Sequence, residues 1–396
     1  MKVVLAFSGG LDTSFCVPFL RETHGAEIVT VTVNTGGATR DALDEVGRRA
    51  RSLGAVDHVE VDARASVFDE HVAWLIRGNV LRGEVYPLSV GAERTRQAIE
   101  VARVAQRIGA DAVAHGSTGA GNDQVRFDVV LRVLLPGVPI LTPIRDHALT
   151  REAVTAWLGE RGLPVPEGSG TYSINRGMWG TTYGGAWTHD PWTAPPDDAW
   201  GLPVPAPPAR DVIVSWKDGL PIALDGAAMP GHELVEALGE TTRAYGIGRG
   251  IHLGETVLGI KGRIAFEAGS PLVLIAAHRE LEKLVLTRWQ MFWKDHLGRF
   301  YGERLHEGQH LDPALRDIEA MMASSQAKVE GDTRVRLDEG RFLVTGVRSP
   351  HALLRDDAGR YGEAPALWNG DEARAFAKIA AIPAMLSTLQ GGRLPW

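Results

Sequence analysis

The stretch "KVVLAFSGGLDTS", residues 2–14, constrains the fold more than any other part of this 396-residue chain. A Val- and Leu-rich run reads as a strand, collides with Gly9-Gly10, and continues into a hydroxyl-rich segment that opens a helix. Residues 1–160 repeat that rhythm. Strands are expected over 2–7, 27–33, 56–62, 111–115 and 138–142, and helices over 12–23, 40–53, 67–78, 92–109 and 122–135. In "ERTRQAIEVARVAQRIG" Ala98, Ile99, Val101, Ala102, Val104 and Ala105 form one helical stripe. Alternation of this kind predicts an α/β fold with a doubly wound parallel sheet, which receives ligands beyond the carboxyl ends of its strands.

The first strand-to-helix turn therefore lies where a ligand would sit. A helix N-terminus carries unsatisfied N–H groups at the positive end of its dipole, and an anion fits there. Gly9 and Gly10 allow close backbone approach, and Ser8, Thr13 and Ser14 add hydroxyl donors. A plain capped turn needs neither two glycines nor three hydroxyls, so a phosphate cradle is the better reading. It is not a Walker A loop, because the spacing is short and no Lys follows the glycines. A loop that grips β and γ phosphates without activating the γ suits cleavage between α and β, with release of pyrophosphate.

A second loop, "HGSTGAGNDQVRF", follows the strand "DAVA" and faces the same sheet edge. Asn122, Asp123 and Arg126 open its helix, with Asn122 and Arg126 one turn apart. An Arg fork suits a carboxylate and an Asp suits an ammonium, the pair that amino-acid recognition requires. The same residues also suit a capped helix with a surface ion pair, and spacing does not separate the two.

Charge and composition narrow the class. Lys plus Arg is 42 against 49 Asp plus Glu, a formal charge of −7, which argues against a nucleic-acid partner. Cys16 is the single cysteine, so no intrachain disulfide or Cys-rich metal site is expected, and a thiol-pair mechanism is disfavoured. No apolar run approaches membrane-spanning length and the chain opens directly on a strand, so a cytoplasmic protein without a membrane partner is expected. Past residue 164 the register changes. "WTHDPWTAPPDDAWGLPVPAPPAR" reads as a long ordered crossover, "DVIVSWKDGLPIALDG" as a hairpin turning at Asp218-Gly219, and "TRVRLDEGRFLVTG" as another. Helices are expected near 278–293 and 313–325, and "DEARAFAKIAAIPAML" carries an Ala-rich apolar face. Two motifs are set aside. "HEGQH" fits a zinc-protease pattern, but Gly308 and Pro313 predict a turn there, and "GIGRG" at 246–250 follows a helix and reads as its C-cap.

"AFSGGLDTS" resembles the SGGxD[ST] signature of PP-loop ATP pyrophosphatases, which leaves amidotransferase-linked synthetases, NAD synthetase, tRNA-thiolating enzymes and argininosuccinate synthase open. "HGSTGAGNDQVRF" resembles the GNDQVRFE signature of argininosuccinate synthases, with weaker likeness in "YSINRGMWG", "GIKGRIAFE" and "ARAFAKIAA". The resemblance covers essentially the whole chain and points to a divergent branch of that family. It implies a PP-loop nucleotide-binding domain over 1–165, an α+β synthetase and multimerisation domain over 166–365, and a C-terminal oligomerisation helix and tail over 366–396. It implies ligation of citrulline and aspartate through a citrullyl-adenylate, giving argininosuccinate, AMP and pyrophosphate, with Mg²⁺ beside ATP and a homotetramer.

By the same resemblance, Ala6, Phe7, Ser8, Gly9, Gly10, Leu11, Asp12, Thr13, Ser14, Val33 and Gly116 would bind ATP. Thr118, Asn122 and Asp123 would hold aspartate, and Tyr86, Asn122, Arg126, Ser173 and Thr182 citrulline. Asp12, Asp123 and Arg126 would be catalytic, with no protein metal cage. The chain departs from the commoner family pattern at Asn34, Gly91, Ala120, Gly254 and Phe266; Ser89 and Glu255 lie close to two of these positions. These changes gather at the citrulline end, so a modified ureido substrate is the alternative, and a non-catalytic nucleotide-binding regulator another.

Overall fold

The computed structural model describes residues 1–166, 172–200, 206–363 and 365–390. The opening strand is β1 (Lys2–Ala6), with Val3, Val4 and Leu5 fully buried, as expected for a central parallel strand covered on both faces. With β2 (Glu27–Asn34), β3 (Asp57–Asp62), β4 (Ala112–Ala114) and β5 (Ile140–Leu141) it forms a five-stranded parallel sheet of order β3-β2-β1-β4-β5. The helices between them are α1 (Leu11–His24), α2 (Arg40–Ser52), α3 (Arg64–Val67), α4 (Ala73–Arg77), α5 (Gly91–Ile108), α6 (Asp123–Leu134), α7 (Pro143–Asp146) and α8 (Arg151–Glu160). The chain winds outward from β1 to β3, then returns through α5 to β4 on the other side of β1. The switch point thus lies between β1 and β4, and the crevice beyond their carboxyl ends is open to a ligand.

Two expectations need correction. The helix predicted over 67–78 is broken into α3, a π-helical turn at Phe68–Val72, and α4. The helix predicted over 278–293 is two, α10 (Gly269–Val285) and α11 (Arg288–His306), because Thr287 starts a new helix with a capping box to Gln290. Apolar periodicity runs through both; the first is a π-helical turn without any side-chain cap, and the Thr287 cap decides the second. Pro18, by contrast, lies inside an uninterrupted α1.

Beyond the first sheet come β6 (Tyr172–Gly177), β7 (Gly180–Gly185), β8 (Arg210–Lys217), β9 (Leu220–Leu224) and β10 (Ala227–Ala228). They are followed by α9 (Gly231–Ala244), β11 (Arg249–Glu255), β12 (Lys261–Glu267), α10 and α11, then α12 (Pro313–Gln326), β13 (Gly331–Asp338) and β14 (Arg341–Arg348). Two antiparallel sheets result, of order β10-β9-β8-β13-β14 and β11-β12-β7-β6. Both predicted hairpins are present, the first turning at Asp218 and Gly219 with φ of 50° and 72°. The segment read as a crossover holds 3-10 turns at Ala186–His189 and Asp197–Trp200, while 201–205 lies outside the described residues.

One core joins Ala63–Ala92 to side chains from Met178 to Leu337, and two smaller ones cover the faces of the parallel sheet. The β6-β7 hairpin is seated on the loop after β2: the Met178 N–H donates to the Thr35 carbonyl at 3.0 Å, and a Cβ on Gly36 would lie 2.8 Å from Met178. Residues 1–350 form one compact unit. Residues 351–396 form a second, with helices α13 (Gly370–Ala380) and α14 (Ile382–Leu389) where the sequence suggests one.

Candidate functional site

A cleft of about 1050 Å³ opens beyond the carboxyl ends of β1, β2 and β4 and runs to the β6-β7 and β11-β12 strands. Its first wall is the loop after β1. Gly9 has a φ of 73°, and a Cβ there would stand 3.0 Å from Val46, so this position requires glycine. The Ser8 and Thr13 hydroxyls are 3.2 Å apart, Thr13 donates to the Gly10 carbonyl at 3.2 Å, and Arg49 from α2 donates to the Gly9 carbonyl at 2.7 Å. Gly10 caps α1 without a side-chain hydrogen bond, which leaves the first N–H groups of α1 for an anion. Burial raises the Asp12 carboxyl above its ordinary range, and Arg151 at the start of α8 opposes that rise.

The second wall is the loop after β4. A Cβ on Gly116 would lie 3.1 Å from the Thr13 nitrogen, so this glycine lets the two loops touch. His115 makes a 2.9 Å hydrogen bond to Asp128, and Arg145 braces the same carboxylate at 3.2 Å. The Asn122 side-chain oxygen accepts from the Val257 N–H at 2.9 Å, tying the start of α6 to the turn after β11.

Asp123 is the electrostatic centre. It accepts from Arg94 at 2.9 Å and from Arg126 at 2.8 Å. Burial pushes its carboxyl upward, but the two guanidiniums outweigh that, and it lies below the ordinary carboxylate range. Arg94 also donates to Asn175 on β6 at 2.6 Å. Arg126 donates to the His306 carbonyl at 2.8 Å and faces His306 Nδ1 at 3.0 Å. A guanidinium can only donate, so Nδ1 accepts and the proton is on Nε2. Burial, then the charges of Arg126 and Arg82, push His306 down to about 2, so it is neutral. Tyr86 donates to the Ser89 carbonyl at 2.5 Å, stacks on His252 at 5.4 Å, and packs 5.2 Å from Phe266.

Of the residues singled out by sequence, Ala6, Phe7, Ser8, Gly10, Leu11, Asp12, Thr13, Val33, Tyr86, Gly116, Thr118, Asn122, Asp123, Arg126, Ser173 and Thr182 all line this cleft. Gly9 and Ser14 stand behind it: Ser14 is fully buried and its hydroxyl donates to the Gly9 carbonyl at 3.4 Å. Sequence reasoning missed Arg82, Arg94, Arg151, Asn175, His252 and His306, which also line it. Their partners lie tens to hundreds of residues away, so no local spacing announces them. In "HEGQH" α11 ends at His306 and Gly308 turns with a φ of 78°. The two imidazoles then part: His306 meets Arg126, and His310 packs 4.3 Å from His71. "GIGRG" follows α9 as its C-terminal turn, with Gly246 left-handed. Cys16 is sealed in the core of α1, where burial raises its thiol far above the ordinary range.

Residues 2–164 match the Arginosuccinate synthase N-terminal HUP domain family, and residues 172–387 the Arginosuccinate synthase C-terminal domain family. The argininosuccinate synthase of Xanthomonas campestris is 39% identical over 97% of both chains. Those of Methanocaldococcus jannaschii and Pyrobaculum aerophilum are 35% and 36% identical, over 91% and 96% of both chains. With both halves of the chain matched by that family's models and relatives matching over nearly their full length, the chain belongs to the argininosuccinate synthase family.

Proposed function

We propose that this chain ligates citrulline to aspartate at the expense of ATP, giving argininosuccinate, AMP and pyrophosphate, a step of arginine biosynthesis. The observation that carries the reading is the meeting of the two loops at the β1/β4 switch point, so close that a Cβ on Gly116 would lie 3.1 Å from Thr13, with Asp123 clamped by Arg94 and Arg126 beyond them. A ureido carbon is a poor electrophile with a poor leaving group. Attack of its oxygen on the α-phosphorus expels pyrophosphate and forms an adenylate. The aspartate amine then attacks the ureido carbon, and AMP leaves with the ureido oxygen.

In this reading the N–H groups of Gly9 to Thr13 hold the β and γ phosphates, with Val33 and Gly116 against the nucleotide. Asp123, kept ionised by its guanidiniums, orients the aspartate amine beside Thr118 and Asn122. The Arg126 fork takes the citrulline carboxylate, with Tyr86, Ser173 and Thr182 along its chain. Catalysis is mainly positioning and charge stabilisation. Mg²⁺ would accompany the phosphates, where it typically takes one or two carboxylates plus phosphate oxygens, and Asp12 of the first loop would assist it. A cytoplasmic homotetramer is part of the same reading; among the described residues no helix is long and apolar enough to cross a membrane.

Sustained pyrophosphate release should require ATP, citrulline and aspartate together. With ¹⁸O in the ureido oxygen the label should appear in AMP, and AMP without label would sink the adenylate route.

A further inference from the structure

Each amino acid in the proposed reaction brings an ammonium as well as a carboxylate, yet the cleft is poor in acids. Among the described residues six guanidiniums line it against three carboxylates, those of Asp12, Asp123 and Glu255. Asp12 belongs to the phosphate loop beside Arg151. Glu255 is exposed at the rim and paired with Lys261 at 2.9 Å. Asp123 alone remains inside, and the reading above gives it to the aspartate amine.

Among the described residues no acid lines the far end, near Tyr86: buried Glu93 stands behind it, accepts from the Trp179 N–H at 3.0 Å, and is pushed up to about 7 by burial. Arg126 and His306 form one side, and His252 stacks on Tyr86 at the other. Burial and the neighbouring Arg82 lower His252 below the ordinary imidazole range, so it too is neutral. Arg82 itself is balanced from outside the cleft by Glu303 at 3.1 Å. A Cβ on Gly254 would stand 2.4 Å from His252 Nε2, so the imidazole fills the place a longer side chain at 254 would take. Gly91 is open instead: a Cβ there would meet only the Arg126 guanidinium, at 3.8 Å. A buried ammonium without a carboxylate is strongly disfavoured, whereas an amide N–H is neutral and loses much less on leaving water.

We infer that the acceptor end is built for a ureido acid whose α-nitrogen is acylated, and that such acceptors are used at least as well as free citrulline. The inference rests on the ligase reading above. The chemistry is unchanged and balanced: ATP, aspartate and the N-acyl ureido acid give N-acyl argininosuccinate, AMP and pyrophosphate.

The test compares kcat/KM for Nα-acetyl-L-citrulline and L-citrulline by pyrophosphate release, with ATP and aspartate saturating. The acetylated acceptor is expected to exceed citrulline about tenfold, and a ratio below one overturns the inference while leaving the ligase reading intact. If neither acceptor is turned over, both readings fall together. Replacing His252→Ala with Gly254→Glu puts a carboxylate at this end and should shift the ratio at least tenfold toward citrulline. An unchanged ratio in that folded double variant removes the charge argument and overturns the proposal.

Discussion

Arg94 shows how much of the site rests on single side chains. It holds Asp123 at 2.9 Å and Asn175 at 2.6 Å, and so joins α5, α6 and β6. Replacing Arg94→Met should raise the KM for aspartate at least tenfold, through loss of the charge that keeps Asp123 ionised and in place. The KM for ATP should move less than twofold, and steady-state kinetics with each substrate varied would check both. Asp123 and Arg126 were legible through the resemblance of "GNDQVRF" to the family signature, since their spacing alone suits a capped helix equally well. Arg94 was not, because it sits on α5 among buried Glu93, Thr95 and Arg96, with nothing local to distinguish it.

Between elements, the decisive contact is that of the loops after β1 and β4. Parallel pairing of Val3, Val4 and Leu5 with Ala112, Val113 and Ala114 sets both loops at the same height. Gly116 then removes the side chain that would separate them. Gly116→Val should weaken ATP binding tenfold or more by pushing against Thr13, while circular dichroism stays that of the parent; Gly116→Ala should have the smaller effect. Equal ATP affinity in all three proteins would show that the loops do not act together. The five strands and the helices between them were readable to within a few residues, since each is a short apolar run or an amphipathic stretch between turn residues, whereas α7 and α8 were not foreseen. The breaks within 67–78 and at Leu286-Thr287 were not, because apolar periodicity continues across them.

At the scale of the molecule, residues 351–396 stand as their own unit, and their helices expose Phe376, Ile379, Met385, Leu386 and Leu389. Each such side chain gains about 1.5–3 kcal/mol when fully covered. The proposed homotetramer supplies that cover, so the double change Phe376→Glu and Leu386→Glu should lower the assembled mass toward that of a single chain in light scattering. An unchanged mass would place the subunit contacts elsewhere. The sequence by itself determined the alternating α/β plan, the glycine-rich loop after β1 and the Asn122-Asp123-Arg126 turn, because each depends on residues within one or two helical turns. Tertiary structure alone decided that Ala63–Ala92 share a core with residues beyond Met178. It also decided that Arg94, His252 and His306 close the cleft begun by "AFSGGLDTS". Charges and rings from distant segments have no spacing rule, and only folding brings them within a hydrogen bond of one another.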